Sequence, residues 1–187
     1  METLRLSAKQ YYHHVKAFPR YISATHSNCD SISARQALLD NLIDEEKGSE
    51  NHPELWLRFA EGMGATRDEV KNEDLLPETR ELINSFMGFS RSSYAEGLGA
   101  LFAYEHQIPE IAAFKMDALK KHYSIQDEAT LSFFDVHRKA DVYHTQALTA
   151  FLYQLSDEDK AVAENASNFT ADQLCKFLDG IHRNIPV

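Results

Sequence analysis

An all-α bundle of about seven helical segments is the fold this sequence predicts, and three observations predict it. Only seven Gly and five Pro occur in 187 residues, and most of them stand at helix ends. Apolar residues recur at helical spacing over long stretches. Runs of β-branched residues, the usual material of strands, are few. At this length the chain reads as one domain, residues 1–187, long enough to bury a sizeable core.

Each element follows from local signals. From Thr3 a first helix carries Tyr11, Val15, Phe18 and Ile22 on one stripe, and Pro19 should bend or interrupt it. After the polar stretch 25–31, a second helix from about Ile32 to Lys47 turns Leu38, Leu39, Leu42 and Ile43 inward, and Gly48 stops it. Asn51-His52-Pro53-Glu54 starts a third, with Asn as N-cap and Pro in the first turn; it carries Leu55, Trp56, Phe59 and Met63. Residues 62–76 read as an acidic loop, and Pro77 opens a short helix ending near Gly88. A long helix is expected over 92–122 with a kink at Pro109, then one of about 28 residues after the break at 124–127, then a last one over 157–182.

Chemistry enters with His137-Arg-Lys-Ala-Asp141-Val-Tyr-His144. Steps of four and three return to nearly the same helix face, so His137, Asp141 and His144 should point together. Two imidazoles and a carboxylate suit iron or manganese better than a closed structural zinc site. An ordinary polar stripe with surface histidines would read the same way. Glu45 and His52 flank the Gly48 break, and Glu45 shares a face with Leu38 and Leu42, where an uncompensated carboxylate is costly. A solvated acidic helix end is the alternative. Glu105 sits in an apolar face of Leu101, Phe102, Ile108 and Ala112, whereas its neighbour His106 should face out. Lys115, ten residues on, returns close to that face, or else snorkels to the surface. No Glu-x-x-His motif of the ferritin-like di-iron bundles is present, only Asp141-x-x-His144.

Composition excludes some classes. The net charge is −10 and no stretch gathers Lys and Arg into a basic face, so nucleic acid is not an expected partner. No run approaches the ~20 apolar residues of a membrane span, and the first residues lack the pattern of a signal peptide. Cys29 and Cys175 form no CxxC, which points to free thiols in a reduced cytoplasmic setting.

The blocks Tyr-Tyr-His-His-Val-Lys-Ala-Phe-Pro-Arg-Tyr (11–21), Leu-Leu-Asp-Asn-Leu-Ile-Asp-Glu-Glu (38–46), Asn-His-Pro-Glu-Leu-Trp (51–56), Tyr-Glu-His-Gln-Ile-Pro (104–109) and Ala-Asp-Val-Tyr-His (140–144) resemble the haem-oxygenase-like di-iron oxidases, nearest to their para-aminobenzoate synthase branch in folate biosynthesis. The resemblance covers nearly the whole chain. It implies a seven-helix bundle shared with TenA thiaminases and PqqC. It also implies a dinuclear site of two Fe ions, or an Fe/Mn pair, on Glu45, His52, Glu105, His137, Asp141 and His144, with O₂ as co-substrate. Lys115 falls on the family's active-site lysine, implicated as amine donor to a ring taken from a protein tyrosine. The helix bearing that tyrosine has no counterpart here, because Met1 aligns near the start of the family's second helix. The native protein is therefore expected to be longer, or to oxidise an external small aromatic. Tyr11, Tyr12 and Tyr21 remain near the N-terminus, with Tyr11 expected in the core. Loss of a helix should expose apolar surface that a partner, or a second copy in a homodimer, could cover. The competing expectations are a metal-free TenA- or PqqC-like enzyme and a non-enzymatic protein-interaction module.

Overall fold

A computed structural model of the protein describes residues 1–185. Among them the chain forms nine helices: α1 (Glu2–Ser27), α2 (Ile32–Glu46), α3 (His52–Gly62), α4 (Arg67–Lys71), α5 (Pro77–Ser92), α6 (Tyr94–Glu105), α7 (Ile108–Tyr123), α8 (Glu128–Gln154) and α9 (Asp157–Arg183). The all-α expectation holds. Two segments exceed the seven expected, and each has a local cause. Within the stretch read as a loop, Thr66 and Glu69 form a reciprocal capping box that starts α4. The helix expected over 92–122 is two helices, because the chain turns at His106 and Gln107. Pro109 then lies in the first turn of α7, where its missing N–H has no partner to lose.

Other boundaries follow the side chains that cap them. Ser31, Asn51, Ser93, Asp127 and Ser156 each accept a backbone N–H in the first turn of the helix they precede. Gly48 adopts φ +84, the left-handed region that a helix stop favours. Pro19 does not interrupt α1, which runs on for two further turns. An internal proline costs about 3 kcal/mol, and burial of Val15, Phe18, Pro19 and Ile22 around it offsets that loss.

α1 is the central helix and touches α2, α3, α4, α5, α6 and α9. Buried Gln10 ties it to the start of α5, donating to the Asp74 carbonyl and accepting from Leu76 N and Thr79 Oγ1. α6 lies against α9 so closely that a Cβ at Gly99 would stand 2.1 Å from the Ala163 carbonyl oxygen. A core of apolar side chains takes residues from every helix.

The inward face of α2 differs from expectation. Leu38 is buried, but Leu39 and Ile43 are 44% and 39% exposed, while Asn41 and Glu45 point inward. Positions 34, 38, 41 and 45 keep helical phase, so the core takes the polar members of the stripe because polar partners wait for them on α6 and α8. With Ile32, the two outward residues leave an apolar stripe exposed on α2. No helix among the described residues is long and apolar enough to cross a membrane. Cys29 is buried, Cys175 is exposed, and both are free thiols.

Candidate metal centre

Six side chains meet between α2, α3, α6 and α8. Glu45 comes from the last turn of α2, His52 opens α3, and Glu105 closes α6. His137, Asp141 and His144 occupy one face of α8, as their spacing predicts. None of the six is more than 4% exposed.

Their geometry sets one close trio apart from the other three. Among the described residues, Glu45, His52 and His137 bring one donor atom each to within 4.8 Å of one another. Glu45 Oε2 lies 2.8 Å from His52 Nδ1 and Glu45 Oε1 lies 4.0 Å from His137 Nε2. The rings of His52 and His137 are 4.2 Å apart at their centroids. His137 Nδ1 lies 2.8 Å from the Phe133 carbonyl oxygen, which can only accept, so Nδ1 carries the proton and Nε2 keeps its lone pair for the cluster. Glu105, Asp141 and His144 are buried in the same pocket, without a comparable convergence of donor atoms among the described residues. His144 Nδ1 stands 3.5 Å from Asp141 Oδ1, and Glu105 Oε1 accepts from Asn41 Nδ2 at 2.8 Å.

Charge in this pocket is shared among neighbours. Burial disfavours the Glu45 carboxylate, but His52 and then His137 outweigh burial and hold its pKa below the usual range. Burial likewise opposes a charge on His52, yet Glu45 raises it above the ordinary histidine range. Burial and then the Asp141 charge push Glu105 up to about 8. His144 reaches about 9, because Asp141, Glu105 and Asp44 overcome the penalty of burial. Burial and the neighbouring His52 push His137 down. At neutral pH, without a metal, the cluster therefore keeps protons on Glu105 and His144 that a cation would displace.

The donor set fits a cation. Glu105 Oε2, Asp141 Oδ2 and His144 Nδ1 are buried without a hydrogen bond. Each such atom costs about 1–3 kcal/mol, and a bound metal ion taking their lone pairs removes that cost. Carboxylates with imidazoles are a set that iron or manganese accepts.

Lys115 stands apart from these ligands and was reached in sequence by an argument that the structure corrects. Glu105 and Lys115 lie on different helices, so no continuous helical phase relates them. The residue as a whole is exposed, yet its Nζ points over the rings of Tyr11 at 5.7 Å and Phe134 at 6.0 Å. Burial of that end pushes its pKa down; the position of the nitrogen, rather than the accessibility of the whole residue, describes the group that titrates. Tyr11 is buried in the core as expected and donates its hydroxyl to Tyr104 Oη at 3.0 Å. His106 is exposed, as predicted beside Glu105.

Three supporting residues escaped the sequence reasoning. Asn41 orients Glu105; its place four residues before Glu45, on the same face, was the available signal. Asp44 Oδ2 reaches His144 Nε2 at 3.2 Å, a contact between residues a hundred positions apart that no local pattern shows. Tyr104 pairs with Tyr11 beside the cluster, and only tertiary packing brings the two phenols together.

Known proteins share this arrangement of chain. A family profile described as iron-containing redox enzyme matches residues 5–171. A 4-aminobenzoate synthase of Nitrosomonas europaea is 43% identical, over 98% of this chain and 79% of that protein. Another, of Chlamydia trachomatis, is 38% identical over 95% of this chain and 78% of its own length. The crystal structure of a TenA homologue from Pseudomonas syringae superposes with a TM-score of 0.84 at 17% identity, covering 97% of this chain and 79% of that one, a likeness of fold. The chain belongs to the haem-oxygenase-like family of iron-containing redox enzymes.

Proposed function

We propose that the protein is a non-haem oxidoreductase with a dinuclear centre of two Fe ions, or an Fe/Mn pair, that uses O₂ to oxidise an aromatic ring, in the manner of a 4-aminobenzoate synthase. The observation that carries this reading is the buried set of two Glu, three His and one Asp, with three of its polar atoms lacking a hydrogen bond. Glu45, His52, Glu105, His137, Asp141 and His144 would hold the metal ions, which when bound supply the electrons for reducing O₂.

The protein's own residues do the rest. Phe133 fixes the His137 tautomer, and Asn41 and Asp44 hold Glu105 and His144 in orientation. A cation held there would displace protons from Glu105 and His144. The Phe133 ring packs against both His52 and His137, and Trp56 backs it, which makes that side of the cluster apolar. A nitrogen donor needs its lone pair, and burial of the Lys115 amine favours the neutral form that has one. The ring would come from a protein tyrosine or from a small external aromatic. The 4-aminobenzoate synthases at 43% and 38% identity support this choice of product class.

The test is iron content per chain after anaerobic loading with Fe(II), in the parent and in a Glu105→Ala/His144→Ala double variant. Close to two irons in the parent, sharply reduced in a variant that keeps its helical circular dichroism, is the expected result. Iron well below one per chain and indifferent to the substitutions would return the cluster to a buried polar core and favour a metal-free enzyme on this fold.

A further inference from the structure

The six candidate ligands are buried, so a cation reaches them only by crossing a wall of the bundle. Two recesses offer a cation opposite surroundings. One, between α1, α3, α7 and α8, is a cavity of about 110 Å³ walled by Leu4, Trp56, Phe59 and Phe134. It holds the Lys115 side chain and no carboxylate, so nothing there draws a divalent ion out of water.

The other is a cleft between α2 and α8 of about 10 Å³, room for roughly one water, lined by Asn41, Tyr143, His144 and Phe151. Here His144 links the outside to the inside. Its Nε2 lies 3.2 Å from Oδ2 of Asp44, whose side chain is 56% exposed. Its Nδ1 lies 3.5 Å from Oδ1 of the buried Asp141. A single imidazole therefore separates a solvent-facing carboxylate from a buried one. Asn41 is only 3% exposed, and its Oδ1 has no hydrogen bond, although its Nδ2 donates to Glu105. An orphaned acceptor in the wall of a cleft calls for a donor or a cation. Carboxylate, amide oxygen, imidazole and a second carboxylate thus succeed one another inward, all of them donors that iron or manganese accepts.

We propose that metal ions reach the cluster through the α2–α8 cleft, with Asp44 capturing the hydrated divalent cation at the surface and Asn41 Oδ1 as its next ligand inward. The ion exchanges its waters for these donors one at a time, with no change of oxidation state. The cleft has room for one water, so the ion passes stripped of most of its shell, and each protein donor replaces a lost water. This route rests on the proposed metal centre.

The test is the rate of anaerobic Fe(II) uptake by the metal-free full chain, stopped at set times with excess chelator, and the rate of release into chelator. Asp44→Asn removes the charge but keeps an acceptor for His144, so it separates capture from positioning. Its uptake should be about ten-fold slower than the parent's at about 0.01 M salt, and the gap should close at about 1 M salt. Asp44→Glu should restore most of the rate. Ala147→Leu, which narrows the α2–α8 cleft, should slow uptake, whereas Ala118→Leu, which narrows the other cavity, should not. Unchanged uptake in Asp44→Asn or in Ala147→Leu would overturn the proposal. So would an affinity loss in Asp44→Asn that comes wholly from faster release, which would leave Asp44 a positioning residue alone. Thermal melts of the variants show whether a slower rate reflects a damaged fold. A parent that takes up no iron overturns the metal centre together with the route; normal parent uptake that ignores Asp44→Asn overturns the route alone.

Discussion

His14 and His137 are both buried imidazoles in the same bundle, and they live in opposite surroundings. His14, on α1, is ringed by Tyr11, Phe18, Tyr21, Phe86 and Tyr104, with centroids 4.9–6.1 Å away. Neither of its nitrogens has a hydrogen bond. Burial pushes its pKa down to about 3. His137, on α8, gives its Nδ1 proton to a backbone carbonyl and turns Nε2 toward Glu45. Burial alone does not make a ligand; it makes a neutral imidazole. A candidate metal centre arises where carboxylates share the pocket, so that opposed charges and lone pairs converge instead of rings.

The largest expected effect that sharpens this contrast is on acid stability. Unfolded His14 takes up a proton near its ordinary pKa of 6.5, while folded His14 resists protonation down to about 3. The stability is therefore complete above pH 6.5 and is lost progressively as pH falls from there toward 3. The loss amounts to about 1.4 kcal/mol per pH unit, or about 3 kcal/mol by pH 4. His14→Phe should flatten that part of the profile in urea unfolding at pH 7, 5.5 and 4, and should leave iron stoichiometry unchanged. Parallel profiles for parent and variant would show that the aromatic pocket tolerates a charged imidazole.

Asn41→Leu probes the other region at nearly constant volume. It removes the donor that orients Glu105, so Fe(II) affinity should fall about 10- to 100-fold. Competition against a calibrated chelator measures this. An unchanged affinity would mean that Glu105 keeps its place without Asn41, or that it is no ligand.

The smallest effect belongs to His106→Ala. His106 follows Glu105 directly but is exposed and stacks only on Phe102. Its removal should shift stability by less than about 0.5 kcal/mol and leave iron content alone. A loss of iron on this substitution would place the pocket's boundary differently.

Much of this was legible along the chain where the signal is local. Asn51 and Pro53 mark the start of α3 because capping and a missing N–H act within one turn. The four-and-three spacing of His137, Asp141 and His144 puts them on one face because α-helical periodicity is intrinsic to the backbone. Glu105 facing in and His106 facing out follow from the same 100° step. Where two faces of a helix competed, local reasoning failed. On α2 the apolar Leu39 and Ile43 lost the inward positions to Asn41 and Glu45, since the outcome depended on the partners supplied by α6 and α8.

The sequence by itself determined most of the helices and their ends and set His137, Asp141 and His144 on one face, because these depend on propensity, capping and period over a few residues; the grouping of all six candidate ligands came from the resemblance to a known family. Only the tertiary structure decided that α6 and α7 are separate helices and that Asn41 and Asp44 serve as orienting partners. It alone also placed the Lys115 nitrogen over the rings of Tyr11 and Phe134. Those relations join side chains up to a hundred positions apart. They arise from packing around α1 and α8, which no short window of sequence contains.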